Sequence, residues 1–225
     1  MTNLNRRAFI GLAQLLFTIS ALLFLPAWTL DYWQAWLFLA VFGVSVLAVT
    51  LYLMKHDPGL LERRVNAGAK AETEATQKVI QSIASAAFVA IFVVSARDHR
   101  FGWSRVPAYA VVAGDVLVAL GLLAVFFVFK ANTFTSAIIA VGDEQKLVST
   151  GPYAVVRHPM YAGALVMLLG VPPALDSWWG LCAVAALALA IVWRLLDEER
   201  FLVANLEGYE AYRHTVRYRL VPFVW

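Results

Sequence analysis

Charge and sulfur are both scarce in this chain. Only 15% of its 225 residues are Asp, Glu, Lys or Arg, against 61% that are hydrophobic, a balance far from that of a soluble domain. The single cysteine, Cys182, excludes an intrachain disulfide and a cysteine-based metal cluster, so no metal site is expected. Its place inside an apolar run points to a packing role. No Gly-x-Gly-x-x-Gly occurs, which removes the dinucleotide fingerprint of a Rossmann domain. The net charge of +3 calls for no nucleic-acid partner, since a basic rim facing anionic lipid headgroups accounts for it.

What the chain has in abundance is apolar runs. Four of them, residues 8–30, 32–54, 79–96 and 106–129, approach or exceed the roughly 20 helical residues that cross the hydrocarbon core. Two more, 160–175 and 178–193, would each rise only about 24 Å at 1.5 Å per residue. Pro172-Pro173 and Asp176-Ser177 divide them, so they read as a tight helical hairpin. Arg6-Arg7 ahead of the first run give it the look of a secretory signal, but its length and the lack of a small-x-small cleavage site mark it as a retained helix. The expected fold is thus an all-α integral membrane protein with five to six transmembrane helices. It forms a single domain over 1–225, with four N-terminal spans in 1–130 and the polar connections, the hairpin and the tail in 131–225.

Six crossings place fifteen of the eighteen Lys and Arg residues on one side, and only Arg97, Arg100 and Arg105 on the other. The basic side is the cytoplasmic one, so both termini and the polar segments between helices are expected in the cytoplasm, with the inner membrane of a bacterium as the setting. After the second run, Asp57 can cap and Pro58 can open a short helix. Leu60, Leu61 and Val65 would give that helix one apolar edge, as suits a segment lying in the membrane interface. In the fourth run Asp115 is an intramembrane acid, expected to hydrogen-bond a neighbouring helix. Ala113-Gly114 with Gly121 offers a small-residue face for helix packing, within one chain or between two.

Apolar periodicity stops between Lys130 and Arg157, where Asn132, Thr133, Thr135 and Ser136 precede a turn at Gly142. Gly151 before Pro152 keeps the following stretch extended or turn-like. Irregular backbone there exposes N–H and C=O groups that a polar cofactor can use at a membrane edge. Pro159 pushes His158 out of helical geometry and can start the next helix, which sets the imidazole at a helix mouth beside Arg157. Tyr161 and Gly163 follow on its first turn. Four residues separate Arg194 from Glu198, so on a helix they share a face, and the hairpin returns that face to His158. A cation and a carboxylate converging on free amides suit a ligand that bears both charges.

At these residues the chain resembles the membrane-embedded isoprenylcysteine carboxyl methyltransferases and their bacterial relatives. The resemblance rests on Leu147-Val148 before Gly151-Pro152-Tyr153, on Arg157-His158-Pro159 with Tyr161 and Gly163, on Trp193-Arg194, and on Glu198-Glu199 with Leu202. Tyr209, Tyr212 and Pro222-Phe223 continue it over about the last hundred residues. It implies a small helical enzyme that binds S-adenosyl-L-methionine without a Rossmann domain. Matched residue by residue, Gln145, Lys146, Leu147, Val148, Tyr153, His158, Pro159, Met160, Tyr161 and Glu198 are the expected cofactor-binding residues. Arg194, matching an arginine assigned to the methyl acceptor, and Glu199 are the expected catalytic ones.

The chemistry agrees with that expectation. Glu198 suits the cationic parts of S-adenosylmethionine, while backbone amides and Lys146 suit its carboxylate. A carboxylate acceptor is already ionised at neutral pH and needs only an arginine to orient it, whereas an amine would need a base. The expected partners are therefore a lipophilic small-molecule or lipidated, isoprenylcysteine-like acid, entering from the bilayer, and the membrane lipids themselves. Phospholipid N-methylation is the alternative within the same enzyme class. A sterol-type reductase using NADPH is the alternative outside it, suggested by the ending Val216-Arg217-Tyr218-Arg219-Leu220-Val221-Pro222.

Overall fold

The computed structural model describes residues 3–66, 75–133 and 147–225. Five of its helices are long and apolar enough to cross a membrane: α1 (Asn3–Ala27), α2 (Trp33–His56), α4 (Ala75–Phe101), α5 (Ala108–Ala131) and α7 (Gly180–Asn205). Between them lie the short α3 (Pro58–Asn66), a 3-10 turn at Gly151–Ala154, the 16-residue apolar α6 (Pro159–Ala174), and α8 (Tyr209–Thr215) near the end of the chain. The all-α membrane architecture is thus the one the apolar runs predict. The last apolar run ends at residue 193, but its helix carries Arg194 and Glu198 on one face, as their spacing predicts, and goes on to Asn205, because the charged residues from Arg194 to Arg200 end the hydropathy without ending the helix. At 26 residues α7 is long enough to span, so of the two hairpin helices α6 alone falls short.

The helices alternate in direction, so one end of the bundle gathers the starts of α1, α4 and α6 with the finishes of α2, α5 and α7. That end is built outward by α3. Asp57 accepts a hydrogen bond from the Leu60 amide at 2.9 Å, a side-chain cap that opens the helix at Pro58. Leu60 and Leu61 then turn inward against Ala8, Leu53 and Phe129. The apolar edge expected to face lipid is covered instead by α1, α2 and α5.

Helices α5 and α6 form the most intimate pair. A Cβ at Gly114 would lie 2.5 Å from the Ala174 backbone nitrogen, and one at Gly121 would lie 2.4 Å from that of Met167. From the other side, a Cβ at Gly170 would meet the Gly114 carbonyl oxygen at 2.4 Å. Gly163 faces the Gly121 carbonyl at 3.1 Å. Two glycines seven residues apart on each helix therefore oppose one another and let the backbones touch. The small-residue face at Gly114 and Gly121 packs within the chain.

The opposite end is tied by two acids, Asp98 buried and Asp176 half-buried. Asp98 accepts from the Ser104 amide and from the Ser104 and Ser177 hydroxyls at 2.6 to 2.7 Å. Asp176 accepts from the Val106 amide at 2.7 Å and from the Gln34 side chain at 3.1 Å. Tyr32 donates to the Leu175 carbonyl and stacks on His99. Two expectations in the spans are corrected. Asp115 is buried, but neither of its carboxylate oxygens has a hydrogen-bond partner among the described residues. Cys182 is exposed on α7 rather than packed.

Candidate functional site

Pro159 and the arginines around Glu199 determine how the site is entered. Pro159 begins α6, and His158 ahead of it holds φ −122° and ψ 62°, outside the helix as the sequence predicts. The last residues of the chain run alongside: the Arg157 amide donates to the Tyr218 carbonyl at 2.9 Å and the His158 amide to the Arg219 carbonyl at 3.0 Å. Three side chains then close on one carboxylate. Arg157 Nε lies 2.6 Å from Glu199 Oε1, Arg219 Nε lies 2.9 Å from Oε2, and His158 Nε2 lies 3.3 Å from Oε1. Arg157 also donates to the Val216 and Arg217 carbonyls at 2.9 Å each. Glu199, Arg157 and His158 are all buried, so Glu199 joins α7, the mouth of α6 and the chain end into one unit.

A second constellation sits one step round α7. Tyr161 donates to Glu198 Oε2 at 2.6 Å and accepts from Arg194 Nε at 3.2 Å. Its ring stacks on His158 with centroids 5.8 Å apart. The Arg194 guanidinium also donates from Nη1 to Gln77 Oε1 at 3.3 Å and to Gln81 Oε1 at 3.2 Å. Gln77, itself buried, turns its amide nitrogen to Asp197. Tyr161 from α6 and Gln77 and Gln81 from α4 thus accept from one buried cation, with Glu198 and Asp197 of α7 bonded to Tyr161 and Gln77 behind them.

His158, Tyr161, Arg194, Glu198 and Glu199 are therefore brought together as expected. Tyr153 stands beside them on the 3-10 turn. Its hydroxyl accepts from the Asn132 side chain at 3.2 Å and its carbonyl accepts from Tyr212 at 2.7 Å. Burial, reinforced by the charge of Glu198 and opposed by the Asn132 hydrogen bond, holds its phenol above the usual tyrosine range. Leu147 packs with Tyr153 against Tyr209, Tyr212 and Val216. Val148 is half-buried beside it. Met160 points elsewhere, into the cluster under α3, and Pro159 lines an apolar groove. Gln145 and Lys146 lie outside the described residues.

Gln77, Gln81 and Asp197 were not read from the sequence. Gln77 and Gln81 flank the start of an apolar run and look like solvated helix ends; their four-residue spacing was the available signal.

The groove runs between α6 and α7 on the side away from α4. It measures about 860 Å³ and is lined almost entirely by apolar side chains, among them Pro159, Val166, Leu169, Val184, Ala188 and Leu220. Val166 and Leu169 are exposed there. Pro159, the residue after His158, is part of its lining.

Residues 109–207 match the family described as phospholipid methyltransferase. The chain is also similar to the cobalt-zinc-cadmium resistance protein CzcN of Cupriavidus metallidurans, 30% identical over 130 residues that cover 51% of this chain and 60% of that protein. It is similar as well to the nickel-cobalt-cadmium resistance protein NccN of Alcaligenes xylosoxydans xylosoxydans, 29% identical over 130 residues, 51% of this chain and 61% of that one. The match spans about three fifths of the length of these relatives. The matched family region begins in α5, so Gln77 and Gln81 fall before it and Arg219 after it, while Arg157, His158, Tyr161, Arg194, Asp197, Glu198 and Glu199 fall within it.

Proposed function

We propose that the chain is an S-adenosylmethionine-dependent methyltransferase working at the cytoplasmic membrane face on a lipophilic acceptor that presents a carboxylate. The observation that carries this reading is the buried Arg194, held beside Glu198 through Tyr161 where α6 and α7 meet His158. The match of residues 109–207 to a methyltransferase family supports the reaction class.

The residues present suit such a cofactor. Glu198 offers a carboxylate to an ammonium, a sulfonium or a ribose hydroxyl, Tyr153 and Leu147 an edge of aromatic and aliphatic surface, and His158 a ring whose face is already aligned with Tyr161. When bound, the cofactor would supply an electrophilic methyl group for the acceptor oxygen, with its thioether as the leaving group. Arg194 would hold the acceptor carboxylate in line, and alignment of this kind is where most of the acceleration arises. Glu199, with both oxygens engaged by Arg157, Arg219 and His158, is given the part of positioning the His158 ring rather than of meeting substrate. No general base is needed for an ionised acceptor.

N-methylation of a phospholipid amine is the second reading, and the matching family's description favours it. The two readings separate on acceptors. Purified protein with tritiated S-adenosylmethionine would be given an S-farnesylated thioether acid and, separately, phosphatidylethanolamine vesicles. Label in a base-labile ester supports the proposal; label in the amine headgroup selects the second reading; transfer to neither, with no S-adenosylhomocysteine binding, overturns both.

A further inference from the structure

The Tyr209 side chain is 3% exposed, yet its hydroxyl finds no hydrogen-bond partner among the described residues. That is unusual. A buried phenol is normally satisfied by protein or water, and leaving it without a partner costs free energy on every folding event. Its neighbour three residues on shows the ordinary case, since the Tyr212 hydroxyl donates to the Tyr153 carbonyl at 2.7 Å. Both rings sit in the same apolar cluster with Leu147, Tyr153 and Leu202, which lies one turn beyond Glu198 and Glu199 on α7. Gly208, with φ +80°, makes the turn that swings Tyr209 back onto this cluster.

We propose that the Tyr209 hydroxyl is a donor reserved for the nucleoside half of the bound S-adenosyl group, a site residue left unsatisfied until cofactor arrives. The inference rests on the methyltransferase reading and extends it to a residue beyond the region that matches the family. Burial, with the charges of Glu199 and Glu198 added, raises the Tyr209 phenol above the ordinary tyrosine value, so it remains a neutral donor at physiological pH. A ribose oxygen or an adenine ring nitrogen can accept the hydrogen bond that a neutral phenol donates.

The test compares Tyr209→Phe and Tyr212→Phe with the unaltered protein in detergent. Calorimetric binding uses S-adenosylhomocysteine and 5′-methylthioadenosine, which keeps the nucleoside but lacks the amino-acid part; thermal unfolding is followed without ligand. For Tyr209→Phe the expectation is about three- to tenfold weaker binding of both ligands, with an unliganded melting temperature equal to or above the starting one. Tyr212→Phe should melt lower, because it loses a formed hydrogen bond. Unchanged affinity in Tyr209→Phe, or a lower melting temperature without ligand, would overturn the proposal by showing that the hydroxyl serves the fold. Weakening confined to S-adenosylhomocysteine would overturn the assignment to the nucleoside. If the unaltered protein binds neither ligand, the methyltransferase reading fails and this inference falls with it.

Discussion

The hydroxyl of Tyr161 stands between Arg194 and Glu198, donating to the acid at 2.6 Å and accepting from the cation at 3.2 Å. It is the link that fixes the spacing of the two opposite charges on α7. Tyr161→Phe keeps the ring stacked on His158 and removes only that link. Hydrogen bonds to charged groups contribute about 1.5 to 3 kcal/mol, so kcat/KM for methyl transfer should fall roughly tenfold to hundredfold. A steady-state assay with the labelled cofactor checks it, and an unchanged kcat/KM would remove Tyr161 from the site.

Gln77 and Gln81 hold Arg194 from α4. Replacing each by Leu should raise the KM for acceptor by about tenfold, on the scale of one lost charge-assisted hydrogen bond. The affinity for S-adenosylhomocysteine should stay near its starting value, because neither glutamine contacts Glu198 in the structure. Parallel kinetics and calorimetry would show the split. Equal loss of both would mean that α4 supports the whole site rather than the acceptor half.

Glu199→Gln should loosen the end of the chain. Removing one charge from a buried ion pair costs about 3 to 5 kcal/mol, since the remaining cation is left uncompensated, and here two arginines share the carboxylate. Limited trypsin digestion should cut at Arg217 and Arg219 earlier than in the unaltered protein. Resistance equal to the starting protein would show that the backbone pairing of Arg157 and His158 with residues 218 and 219 is enough.

Alkaline pH should act on the same region. Burial raises Tyr153, Tyr209 and Tyr212 above the ordinary tyrosine value near 10. With the folded pKa raised, the stabilisation is complete below the unfolded value and is lost as pH climbs toward the folded one. Tyrosinate absorbance should therefore rise in two stages, exposed tyrosines first and these three late, with unfolding accompanying the second stage. A single stage near pH 10 would contradict the burial.

Asp115→Asn tests the buried acid of α5. Both carboxylate oxygens lack partners among the described residues, so the fold gains nothing visible from the acid. The neutral, near-isosteric amide should leave thermal stability unchanged or raise it. A fall of more than about 1 kcal/mol would reveal a hydrogen bond that forms only in the membrane.

How much of this was legible beforehand follows from the residues concerned. Pro159 forces His158 out of the helix by local sterics alone, and Asp57-Pro58 specifies a helix start without outside help, so both are readable in sequence. The four-residue spacing of Arg194 and Glu198 sets both on one helix, but with hydropathy already faded at Arg194 nothing in the pattern marks the end of α7 at Asn205. Gln77 and Gln81 acquire meaning only opposite Arg194, more than a hundred residues away; their four-residue spacing marks a shared helix face but not the partner that meets it. Asp115 defeated the expectation in the other direction: a costly intramembrane acid normally finds a bond, and this one does not.

The opposed glycines of α5 and α6 have a consequence for where chemistry happens. A 16-residue helix is too short to be held at both faces of a bilayer, so by itself it would ride up or down with membrane thickness. Keyed at two points seven residues apart into a neighbour that does span, α6 takes its depth from α5 instead. The height of His158 and Tyr161 in the bilayer then becomes a property of the protein, the same whatever the thickness of the membrane around it.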